Sequence, residues 1–147
     1  MPDLDAIAVA IAARFAPGQL TAPVGYATIR ASTANPIAQI TVTPVVMVTA
    51  NEGEFDTGNG TRMGLQSWWV RFYLDQVGDT ERAEVALRKW ATVLIDQLKA
   101  SVQLGGTVAR ATVDSYKIGI LTTLGGDYWG IELVVSTTTT EGWAAVA

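Results

Sequence analysis

The segment Trp68–Asp75 constrains this chain most: Trp68, Val70, Phe72 and Leu74 alternate with Trp69, Arg71, Tyr73 and Asp75. An alternation of period two predicts a β-strand, and here it sends one tryptophan to each face. A single helical layer covers only one face of a sheet. The second indole therefore needs cover from outside a two-layer core, and burial between subunits is the expected source for Trp69.

The next firm element is a helix that starts at Asp79 or Thr80 and ends near Gln103. Ala83, Leu87, Trp90, Ala91, Leu94, Leu98 and Val102 form its continuous apolar stripe. Gly105-Gly106 supplies a left-handed stop. A shorter helix begins the chain, with Asp3 as its cap and Leu4, Ile7, Ala8, Ile11 and Phe15 on one face. Its other face, Ala6, Val9, Ala10 and Ala13, is apolar as well, so part of its cover is expected from another subunit.

Residues Gln19–Gln39 read as an irregular connector with at most a short strand near Tyr26–Ala31. Ile40–Thr49 reads as a strand, and Pro44 inside it predicts an edge or a bulge because proline donates nothing to a ladder. The polar stretch Asn51–Gln66, with Gly53, Gly58, Gly60 and Gly64, predicts a long loop. A hairpin closes the chain: Thr107–Thr122, a turn at Leu124–Asp127, and Tyr128–Thr140 with Trp129, Ile131, Leu133 and Val135 on one face. Its end, Thr137–Thr140, reads as a bare, uncharged sheet edge. The expected fold is α+β: an antiparallel, mixed-order sheet in the order α-β-β-α-β-β, packed against one long helix, with a short N-terminal helix. With 147 residues and neither repeat nor linker, it forms a single domain over 1–147, and 51–66 is its long polar loop.

Composition decides what chemistry is open. Histidine and cysteine are both absent, which removes Ser–His and Cys–His dyads, thiolate and imidazole metal sites, and disulfides. The acidic stretch Glu52, Glu54, Asp56 fails the EF-hand spacing and reads as a solvated loop. Asp75, Asp79, Glu81 and Glu84 gather at a helix start, where the macrodipole favours them. Neither glycine pair fits a phosphate loop. No catalytic, cofactor or metal residues are therefore expected, and the chain is not expected to be an enzyme. A net charge of −4 with scattered basic residues argues against a nucleic-acid grip. The apolar stretch Ala6–Ala13 is far short of the roughly 20 residues of a membrane span, and no signal peptide is expected.

Several of these stretches together resemble the tail terminator, or tail-completion, proteins of long-tailed phages. They are the N-terminal helix Ala6–Phe15, the strand Val42-Thr43-Pro44-Val45-Val46, and the acidic loop leading into Trp69-Val70-Arg71-Phe72-Tyr73. The helix Leu87–Leu98 and the closing Tyr128-Trp129-Gly130-Ile131-Glu132-Leu133 complete the set. The resemblance implies a virion protein, assembled in the host cytoplasm and placed at the tail–head junction. It implies a homohexameric ring that ends the tail tube and meets the tail tube protein on one side and the head-side connector on the other. An acidic surface suits passage of DNA through such a channel without specific binding. Partner contacts are expected from Glu54, Phe55, Asp56, Arg62 and Met63 of the polar loop, and from Trp69 and Trp143. The alternatives are another neck or head-closure ring protein, and a monomeric ligand-binding module with a pocket beside Trp68 or Trp69.

Overall fold

The computed structural model describes residues 3–36, 39–58, 61–76, 80–123 and 125–142; at 54–58, 61–63, 76, 80–81 and 140–142 it describes the backbone alone. The elements in chain order are α1 (Leu4–Ala13), β1 (Ala31–Thr33), β2 (Val45–Gly58), β3 (Thr61–Gln76), α2 (Thr80–Lys99), a 3-10 turn at Leu104–Gly106, β4 (Arg110–Thr123) and β5 (Gly126–Gly142). One five-stranded sheet runs in the order β1-β2-β3-β5-β4. Its pairs are antiparallel except β1 with β2, which is parallel.

The class is α+β, as the periodicities require. The finer expectation needs correcting in two respects: the sheet is mixed rather than antiparallel, and both helices pack on it. β1 is the added strand. Only three residues long, it carries no pattern of its own and exists through its pairing with Val45–Met47.

Both helices cover the same sheet face. Ile7, Ala8, Ile11 and Phe15 join Val46, Val48, Trp68, Val70, Phe72, Ile131, Leu133 and Val135 in one core with Leu87, Trp90, Leu94 and Leu98 of α2. Each large side chain fully buried there contributes about 1.5–3 kcal/mol. Trp90 lies on Phe72 with ring centroids 4.7 Å apart. The Asp3 carboxylate accepts from the Ala6 N–H at 3.0 Å and caps α1, and the Ser32 hydroxyl donates to the Ala12 carbonyl at 2.6 Å, tying α1 to β1. α2 ends at Lys99, a turn before Gln103. The left-handed backbone needed downstream falls on Gly105 and Gly106, with φ of 68° and 92°.

On the opposite face Val45, Met47, Tyr73, Leu121 and Tyr128 form a smaller cluster, with Ala31 and Ile40 against it. Tyr73 and Tyr128 meet edge to face at 5.9 Å.

Three further expectations change. Most of 51–66 is not a loop: 51–58 continue β2 and 61–66 belong to β3, paired from Gly53↔Gln66 to Gly58↔Thr61, while 59–60 lie outside the described residues. Most of the glycines and acids that suggested a loop lie in β2, which is held there by pairing with β3, itself paired on both sides. The expected bare edge at Thr137–Thr140 holds for only half of the segment: Thr137 and Thr138 pair with both β3 and β4, whereas Thr139 and Thr140 pair with β3 alone. Pro44 sits in a cis peptide with Thr43, immediately before β2 rather than inside it. Residues 40–44 are outside the strand, and the short strand expected near Tyr26–Ala31 begins only at Ala31.

Candidate interaction surfaces

β4 stops pairing at Arg110↔Thr138, but β2, β3 and β5 run on. Glu54–Gly58, Thr61–Leu65 and Thr138–Gly142 form a three-stranded arm with β3 in its middle. Five of the expected contact residues come together on it. Phe55 pairs with Gly64, Asp56 with Met63 and Thr57 with Arg62, while Glu54 pairs with Leu65. Trp143 lies outside the described residues and follows Gly142, the register partner of Thr61. Trp69 is not on the arm. It pairs with Thr49 and Val134, on the body of the sheet.

The root of the arm is fastened by a buried polar chain. Trp68 Nε1 donates to the Thr137 hydroxyl at 2.9 Å, and that hydroxyl donates to the Gln66 carbonyl at 3.2 Å. Nearby, the Ser136 hydroxyl donates to the carboxylate of Asp114. Asp114 is the extra residue of a β4 bulge between Val113 and Ser115.

Trp69 is half-buried on the sheet face away from the helices. The Arg71 guanidinium lies 4.5 Å from the centre of its ring, and Arg71 Nε donates to Glu132 at 2.8 Å across the strand pair. The second indole is thus partly covered by its own strand, two residues on. Beside this group burial pushes the Tyr73 hydroxyl above its usual value of 10.0; Arg71 opposes the shift and Glu132 adds to it.

A cleft of about 440 Å³ opens at the other end of the sheet, where Leu74, Ala83, Ala86 and Trp129 face Tyr26 and Pro44. Leu74 reaches it because a bulge between Tyr73 and Asp75 makes it the extra residue of β3. Neither Trp68 nor Trp69 lines this cleft; its tryptophan is Trp129. Asp75 and Arg82 border the cleft, and each already has a partner. Sequence reasoning assigned Trp129 to the core stripe and missed the cleft. It also passed over Tyr116, Ile118 and Ile120 of β4, although their spacing of two was the available signal.

Among the described residues no helix is long and apolar enough to cross a membrane. No protein-family model matches the chain, and no curated protein matches it.

Proposed function

We propose that this chain is a structural virion subunit: it forms a ring that ends the tail tube of a long-tailed phage and joins it to the head connector. The observation that carries the reading is the three-stranded arm, which extends past β4 and supplies a pairing surface that a lone subunit does not use. Among the described residues no strand pairs with β2 beyond Met47 on its outer side, so an open edge of 11 residues, 48–58, runs the length of the arm. Such edges pair with another chain or are protected from doing so. The exposed outer side of α1 and the half-covered Trp69 point to the same incompleteness.

The test is genetic. Loss of this chain from its parent phage is expected to leave tails of uncontrolled length, whereas normal tails beside unjoined heads point to a head-side neck protein. Replacing 54–65 by a two-residue Asn-Gly turn, which keeps the Gly53↔Gln66 register, is expected to keep the fold and abolish joining; intact joining contradicts the role of the arm.

The cleft favours a second reading, a ligand-binding module, because the Trp129 indole N–H is buried without an acceptor among the described residues. That reading requires a monomer in solution, and a ring counts against it.

A further inference from the structure

We infer that the stretch following β5 docks between copies: Trp143 and the short residues after it seat in the Trp129 cleft of a neighbouring copy. This inference rests on the ring reading above and names one contact that joins neighbours.

Reach decides whose cleft is available. β5 runs from Gly126 to Gly142. The cleft lies where this strand starts, at Trp129, beside the last residues of β3. Gly142 lies at the opposite end, on the tip of the arm, paired with Thr61. The extended strand between Trp129 and Gly142 spans roughly 40 Å at about 3.3 Å per residue. Trp143 follows Gly142 directly, with its Cα about 3.8 Å further on, so it cannot enter the cleft of its own chain. A second copy can present the cleft to it. Arm tip and cleft are unlike surfaces at opposite ends of the same two strands. Joining them sets one copy head to tail with the next, the kind of contact from which rings are built.

The chemistry of the two sides agrees. Residues 143–147 lie outside the described residues, but their sequence, Trp143-Ala144-Ala145-Val146-Ala147, is apolar throughout and carries no charged side chain. The cleft is walled by Leu74, Ala83, Ala86 and Trp129 on one side and by Tyr26 and Pro44 on the other. Asp75 and Arg82 border it and each already has a partner, so an uncharged occupant leaves no ion pair waiting to be made. A space of about 440 Å³ is within the range of sites that enclose a bulky group. Trp143 supplies that group, and Ala144 and Ala145 let the backbone behind it approach closely. The Trp129 indole N–H is buried and has no acceptor among the described residues. A buried donor left unpaired costs stability, and a main-chain carbonyl carried in beside Trp143 is an acceptor of the kind it lacks.

The absence of cysteine allows a clean test. Ala27 is exposed and lines the cleft, so a thiol there reports on the occupant without filling the space. Ala27→Cys and Ala144→Cys are made singly and together in the full chain, treated with a short bifunctional thiol reagent, and run on a denaturing gel beside light scattering of the untreated proteins. The double variant is expected to give a covalent ladder, the mixed single variants a dimer band and no higher species, and each single variant alone no cross-link. Adding Trp143→Ala to the double variant is expected to cut the yield of the ladder at least about tenfold. A multimer by light scattering whose double variant gives no ladder overturns the inference. So does a dimer from either single variant alone, or a ladder that Trp143→Ala leaves intact; the ring reading survives all three. A monomer by light scattering overturns inference and ring together.

Discussion

Trp68 Nε1 donates to the Thr137 hydroxyl at 2.9 Å, joining the middle strand of the sheet to its neighbour where the arm leaves the body. Thr137 is buried, and its hydroxyl serves both as acceptor for the indole and as donor to Gln66. Thr137→Val keeps the shape, strands the indole donor and is expected to cost about 1–3 kcal/mol. Trp68→Phe combined with Thr137→Val is expected to cost less than the two single changes added, as read by denaturant unfolding. Strict additivity contradicts the chain of bonds.

Arg71 binds Glu132 and covers Trp69 at once. Both partners of the ion pair are partly solvated, so the pair itself contributes about 0.2–1 kcal/mol and the ring contact about 0.5–1 kcal/mol more. Arg71→Ala is therefore expected to lose about 1–2 kcal/mol and to shift tryptophan emission to the red. Arg71→Lys keeps the charge and loses the planar stacking, so it is expected to fall between the two.

Tyr73 sets a pH dependence. Its hydroxyl titrates above 10.0 in the folded chain because burial disfavours the phenolate. The unfolded chain then releases this proton first, so the contribution to stability is intact below pH about 10 and is lost as pH rises from there through the folded value. Melting temperature is expected to fall above pH about 10, and Tyr73→Phe is expected to flatten that fall. An identical fall in the variant contradicts the assignment.

Gly130 lies in β5 opposite Tyr73. A Cβ there meets the Phe72 carbonyl oxygen, and Leu121 Cδ1 at 2.7 Å. The first of these is backbone and cannot step aside. Gly130→Ala is expected to destabilise by about 1–3 kcal/mol, whereas Gly125→Ala, with only a Thr123 hydroxyl at 3.8 Å, is expected to change little. Equal melting of the two variants contradicts the close approach.

The parts legible in sequence are those whose own side chains decide their state. The stripe Leu87, Trp90, Ala91, Leu94 and Leu98 needs one buried face whatever lies opposite, and it forms α2. The alternation of Trp68–Leu74 likewise fixes β3. The arm was not legible because Asn51, Glu52, Gly53 and Glu54 have low strand propensity; Asn51 and Glu52 sit in a bulge, and Gly53 and Glu54 are held by pairing with Gln66 and Leu65 of β3. Thr137–Thr140 has a strand's composition at an edge or in the interior alike; only the arrival of β4 beside Thr137 and Thr138 separates these two from Thr139 and Thr140. The cover of Trp69 was within reach, since residues two apart on a strand share a face and Arg71 is the next on that face.

Sedimentation equilibrium of the full chain, paired with negative-stain imaging, tests the central claim most directly. The account predicts a closed ring of six 15.6 kDa chains around an open channel. A monomer that stays a monomer at high concentration contradicts it.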